Sequence, residues 1–236
     1  GHDLDLLVGA QPDVVLRTLH SDFRLTPGEG SISHWFADKR QYVVEGWQTP
    51  LEVHHGRLGH LGEHASFARL VLACSSVAGA PVESQQLKPE HQLLFQVIQR
   101  MYGHFGFRAS DVVMGVRSLT LDLDWDEIIR LAHEMRIYTA LRRYTRAVNS
   151  IALTHTGAGI GPIAVPGLLS SGTMKLPYEG GIFRVSMAGV VMPLFIRAFF
   201  SAVSAGDWRV GLRLLLLPPL GIVGGVQRVL EGLKSR

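Results

Sequence analysis

Polar and apolar residues alternate over the first sixty positions, and beyond them the apolar residues return every three or four places. In Asp3-Leu-Asp5-Leu-Leu-Val8 the spacing predicts a short buried strand, with Leu4 and Leu6 toward a core and Asp3 and Asp5 together on the other face. Pro12 opens a helix running to His20, with Val15, Leu16 and Leu19 as its apolar side. Phe23–Thr26 reads as a strand before the turn Pro27-Gly28-Glu29-Gly30. Gln41–Glu45 and Leu51–His55 read as two more strands, joined through Gly46 and Pro50. Together these predict a small mixed sheet with one or two helices.

From about Gly62 the period is helical. Phe67, Leu70, Val71 and Cys74 mark a short helix. Pro89 stands at the first position of the next, whose stripe is Leu93, Leu94, Val97, Ile98, Met101, Tyr102 and Phe105. Val112, Val113, Val116 and Leu119 mark a third. Asp124-Trp-Asp-Glu127 has the spacing of a capping box, with Asp124 as N-cap and Glu127 reaching back, and Ile128, Ile129, Ala132 and Met135 turn inward behind it. Ile137, Leu141, Tyr144, Val148 and Ile151 define one more helix. The stretch 154–172 is rich in Gly, Pro and Ser and reads as a connection. Its Gly157-Ala-Gly159-Ile-Gly161 lacks the spacing and the Lys-Ser/Thr partner of a phosphate loop. The expected fold class is α+β: a small mixed sheet followed by an α-helical bundle. The expected organisation is an α/β unit over 1–61, a helical unit over 62–153, and a Gly/Pro-rich connection with apolar C-terminal helices over 154–236.

Composition narrows this picture modestly. With 47% hydrophobic and 18% charged residues, the 236-residue chain is globular rather than disordered. The net charge of +3 is mild, and its densest basic group, Arg142, Arg143 and Arg146, fits a solvated helix face. The single cysteine, Cys74, excludes an internal disulfide framework and suits a reducing compartment. The expected location is cytoplasmic, because the chain opens on a charged strand and not on a secretory signal. Two long apolar runs occupy the C-terminal third, Met187–Val203 and Leu212–Val223. Arg197 interrupts one and Pro218-Pro219 the other, so neither supplies about 20 clean residues for a span. They are expected to pack on the bundle or to form a homodimer face, without membrane contact.

The candidate chemistry begins with the two acids. Neighbouring carboxylates repel one another and resist desolvation unless a cation lies between them, and Mg²⁺ held by carboxylates and substrate phosphates is a common solution. Glu52, in Leu51-Glu-Val-His-His55, is a third acid on a strand, with His54 on its face and His55 on the other. Three acids on adjacent strands meet the needs of a two-metal phosphoryl-transfer site, where positioning and charge neutralisation carry the rate. Lys88, Lys39 and Arg40 are basic side chains suited to a triphosphate, although a solvated surface position is the simpler reading of each. His91 and His104 read as capping or packing residues, and Asp111 as the cap of the helix after it. Tyr102 and Trp125 read as core or half-buried anchors.

This order of Asp-Leu-Asp-Leu-Leu-Val, a helix, a strand pair ending in Leu-Glu-Val-His and a helical bundle resembles the nucleotidyltransferase superfamily related to DNA polymerase beta. It looks most like the uncharacterised bacterial nucleotidyltransferase group. Those proteins carry an Asp-Ile-Asp-Leu-Leu-Val strand, a Val-Glu-Leu-His strand and a Pro-Glu-x-x-Leu-Leu helix ending in histidine. The matching segments here are Pro89-Glu90-His-Gln-Leu93-Leu94 with His104, then Ser110-Asp111-Val112 and Leu123-Asp124-Trp125. The resemblance spans about residues 1–150. It implies a nucleotidyltransferase-like sheet, metal binding by Asp3, Asp5 and Glu52, and transfer of a nucleoside monophosphate from an NTP with two Mg²⁺ ions. The acceptor, a small molecule, a protein or RNA, is left open. The family also places a Gly-Ser pair and its helix before the Asp-x-Asp strand to hold the triphosphate. The sequence starts at Gly1-His2, so the expectation is an N-terminally incomplete domain or a degenerate, binding or regulatory form of the fold.

Overall fold

In the computed structural model, which describes residues 4–9, 12–28, 38–58, 64–75, 87–160 and 173–216, the N-terminal part is a four-stranded mixed sheet. Its strands are β1 (Leu4–Val8), β2 (Leu25–Pro27), β3 (Lys39–Val44) and β4 (Leu51–His55), in spatial order β1-β4-β3-β2. The β1–β4 pair is parallel, and the β3–β4 and β2–β3 pairs are antiparallel. The strands alternate as the sequence predicts. One face gathers Val8, Leu25, Tyr42, Val44, Leu51 and Val53, and α1 (Pro12–Asp22) closes it with Val15, Leu16 and Leu19. β2 starts two residues later than predicted, because Phe23 stays half-exposed against Trp47 beyond the ladder. Of the predicted turn after β2, Glu29 and Gly30 lie outside the described residues.

The other face of the sheet looks toward the helices. Leu7, on that face, packs into a large core built by α2 (Ala65–Ser75), α3 (Pro89–Ile98), α4 (Ala109–Leu119), α5 (Trp125–Glu134) and α6 (Tyr138–Thr156). α3 continues into a wider π-type turn, Gln99–His104, which ends at Phe105 with a left-handed φ of 52°. The predicted stripe of α6 is buried throughout. On α4 the reading of Val113 fails: it is 65% exposed, and Gly115 takes the contact side instead. A Cβ on Gly115 would come within 2.8 Å of the Tyr144 hydroxyl, so glycine is what lets α4 approach α6. The Tyr144 hydroxyl donates to Gln96 Oε1 at 2.7 Å, and burial holds it well above the usual tyrosine range.

The caps follow the sequence in part. Asp124 accepts from the backbone N–H of Glu127 at 3.0 Å, as its position predicts. The reciprocal half of that box is missing: the N–H of Asp124 donates to Glu90 Oε1, and Glu127 pairs with Arg130. Asp111 does cap α4, accepting from Arg108 N at 2.7 Å and from Arg100 at 2.9 Å. Gly157, at φ 71°, ends α6, which gives the glycine-rich stretch a stop function at its start. Residues 161–172 and the Cys74 side chain lie outside the described residues.

A second sheet had no signature in the sequence pattern. β5 (Gly106–Arg108) pairs with β7 (Ile182–Arg184), and β7 pairs with β6 (Tyr178–Glu179). These strands hold two or three residues each, too few to establish a period. They draw the C-terminal stretch into the helical core through Phe183 and Val185, followed by a π-type turn, Met187–Val191, and by α7 (Met192–Ser204). The described fold is α+β.

His64, just before α2, lies edge-on to Tyr102 at 4.6 Å between ring centroids and is buried. Burial pushes it down from its ordinary 6.5 to about 3. The folded protein therefore keeps His64 neutral while the unfolded chain takes up a proton near pH 6.5. The stability this contributes is complete above that pH and falls by roughly 1.4 kcal/mol per pH unit below it. Urea unfolding at pH 5 is expected to give about 2 kcal/mol less stability from this group than at pH 7. His64→Phe should flatten that part of the acid slope, and an unchanged slope would remove the assignment.

Candidate carboxylate site on the mixed sheet

Register is what assembles this site. In the parallel β1–β4 ladder Asp5 pairs with Glu52, Leu6 with Val53 and Leu7 with His54. Paired residues of a parallel ladder belong to the same face, about 4.8 Å apart across the strands. Register thus sets Asp5 directly beside Glu52, whose own side chain belongs to the face turned toward the helices. On the other side of β4, Gln41 pairs with Glu52 and Lys39 with His54. Asp3, the third acid expected here, lies outside the described residues.

Glu52 is 6% exposed, which is unusual for a carboxylate and sets the electrostatics. Lys39 Nζ stands 2.6 Å from its Oε1, and His54 Nε2 stands 3.8 Å from its Oε2. All three side chains are less than one-fifth exposed, so the Lys39–Glu52 pair is a partly dry ion pair and not a surface bridge. Alternation alone placed His54 on the Glu52 face, and the structure agrees. It also agrees for His55, which belongs to the opposite face. Burial and the nearby Arg40 guanidinium lower the His55 pKa, with Asp38 and Asp13 pulling the other way.

The remaining sequence candidates lie elsewhere. Arg40 is exposed on the far face, and Lys88 is an exposed residue at the start of α3. His91 is buried in α3, its pKa lowered by burial and then by Lys88, and His104 is exposed in the π-type turn. Tyr102 is core, and Trp125 is half-buried against it.

Sequence reasoning missed the cluster at the edge of the site. Asp38, immediately before Lys39, has a left-handed φ of 53° and collects three guanidiniums. Arg209 donates to it at 2.9 Å, Arg213 holds both oxygens at 3.1 and 3.2 Å, and Arg57 Nε lies at 3.6 Å. Arg57 also meets Asp207 at 3.5 Å. No local signal could reveal this, because Arg209 and Arg213 are 171 and 175 residues away along the chain.

Donors to a metal here are all hard oxygens, which suits Mg²⁺ or Mn²⁺ rather than a thiolate-binding ion. Among the described residues no group of three or more His, Cys, Asp or Glu side chains is arranged to hold an ion. On the expectation from the sequence, its ligands would be Asp5 and Glu52 together with Asp3, which lies outside the described residues. The class defined by fold and site is thus an α+β protein with a carboxylate-bearing mixed sheet. Comparison with family models, curated proteins and solved structures finds no match to this chain.

Proposed function

We propose that the protein is a nucleotidyltransferase that moves a nucleoside monophosphate from an NTP to a hydroxyl or phosphate acceptor. The observation that carries this reading is the parallel register of Asp5 with Glu52, which pairs two acids from distant sequence across neighbouring strands, with the partly buried Lys39 against Glu52. The Asp-x-Asp spacing and the segments resembling the bacterial nucleotidyltransferase group support it further. In the reaction the acceptor oxygen bonds to the α-phosphorus, the α–β phosphoanhydride bond breaks, and pyrophosphate leaves with the electron pair. Bound Mg²⁺ would neutralise charge on the phosphates. Asp3 and Asp5 would hold that ion, and Glu52 would share it while accepting the proton of the acceptor hydroxyl. Lys39 would balance the Glu52 charge until substrate arrives.

A second reading, a degenerate nucleotide-binding or regulatory module, is favoured by one observation. Glu52 already has an ammonium at 2.6 Å, so its charge is balanced without a metal. Thermal unfolding with each of the four NTPs, with and without Mg²⁺, separates the two. A ligand at 100 times its dissociation constant adds about 2.7 kcal/mol, seen as a few degrees. The enzyme reading expects a Mg²⁺-dependent rise that disappears in Asp3→Asn/Asp5→Asn. A rise that needs no metal and survives that change supports the binding module.

A further inference from the structure

The C-terminal apolar runs pack on one side only. α7 and a helix over 208–216 form a hairpin through a tight turn, in which Asp207 N donates to Ala202 O at 2.9 Å and Gly206 has φ 73°. The two helices touch where Gly211 meets Val203. A Cβ there would lie 3.3 Å from the valine methyl. Each helix buries one face in the common core, α7 with Leu194 and Phe195, its neighbour with Val210 and Leu214.

Two helices that rest on one core and touch each other turn their remaining faces the same way. Those faces carry Ile196 and Phe200, one turn apart on α7, and Trp208, Leu212 and Leu215 at helical spacing on its neighbour. They are 51%, 65%, 67%, 60% and 57% exposed. Single exposed apolar side chains are ordinary, but five large ones on one hairpin make a patch that calls for an occupant.

Charge selects that occupant. Exposed guanidiniums border the patch: Arg197 on α7, which donates to Thr139 Oγ1 at 3.1 Å, and Arg136, which donates to Ser201 O at 2.6 Å and Ser204 Oγ at 2.8 Å at the end of α7, whereas Arg209 is held by Asp38. Between 187 and 216 the sequence has a single acid, Asp207, and it pairs with Arg57. We propose that this hairpin face docks on an anionic lipid surface, with the apolar stripe in the headgroup boundary and the arginines on lipid phosphates. Met187–Ser204 is long and apolar enough to be a candidate span, but its inner side belongs to the protein core, so the hairpin lies on the surface and does not cross it.

The test is co-sedimentation of the full chain with vesicles of phosphatidylcholine alone or with about a third phosphatidylserine. Binding is expected to the anionic vesicles only. Phe200→Ser/Trp208→Ser, both on the exposed face, should weaken it by roughly tenfold or more, and Arg197→Glu by several-fold. No binding by the native chain would overturn the proposal. So would full binding by the Phe200/Trp208 variant, which would mean a purely electrostatic contact. A dimer that Phe200→Ser/Trp208→Ser dissolves, together with no vesicle binding, would assign the face to a second copy.

Discussion

Lys39→Met is expected to lower the unfolding free energy by about 3 kcal/mol near neutral pH, measured by urea denaturation, because it strands a buried carboxylate. Lys39 Nζ is 2.6 Å from Glu52 Oε1, and the two side chains are only 18% and 8% exposed. Methionine keeps the length and apolar stem of the lysine, so the loss reports on charge more than on packing. Lys39→Met/Glu52→Gln should recover most of the loss, since neither partner then remains as an unbalanced ion. Mg²⁺ should also stabilise Lys39→Met, and to a lesser degree the native chain, because a divalent cation can take over from the ammonium. A lysine that only decorates the surface would cost under about 1 kcal/mol on removal, with no response to metal.

Asp38→Asn is expected to cost a similar amount, about 3 kcal/mol. Asparagine tolerates the left-handed φ of 53° and keeps the shape of the side chain, so the change removes the charge and one acceptor oxygen. Arg213, buried at 6% exposure, would lose its paired contact to both oxygens of Asp38, and Arg209 and Arg57 would lose theirs. Because two of these arginines belong to the helix over 208–216, the effect should be local. Amide hydrogen exchange is expected to rise in that helix well before it rises in α6. Uniform loss of protection over the whole chain would show that Asp38 stabilises the fold globally instead of fastening the hairpin to the sheet.

The parts of the fold legible in the sequence are those with a clear period. Leu4, Leu6, Leu51 and Val53 alternate, and their strands formed as read. The stripe from Ile137 to Ile151 is long enough for its helical spacing to be unambiguous. Short strands carry no such information. Gly106–Arg108 was hidden between two helical stripes, and β6 and β7 between a glycine-rich stretch and an apolar run. Alternation also placed Glu52 with His54 and apart from His55, but it could not supply register. That Asp5 lies beside Glu52 is a property of the β1–β4 pairing, which depends on the whole sheet. The Asp38 cluster was invisible for the related reason that its arginines come from the other end of the chain.

On the proposed function, Asp5 and Glu52 together hold a metal–nucleotide. The most direct test of that claim is the calorimetric dissociation constant of an NTP in excess Mg²⁺ for the native chain, Asp5→Asn and Glu52→Gln. Each substitution removes one charged ligand, and binding is expected to weaken by roughly tenfold or more in both, with the native affinity collapsing when Mg²⁺ is chelated. Equal affinity across the three proteins, or affinity indifferent to Mg²⁺, would contradict it.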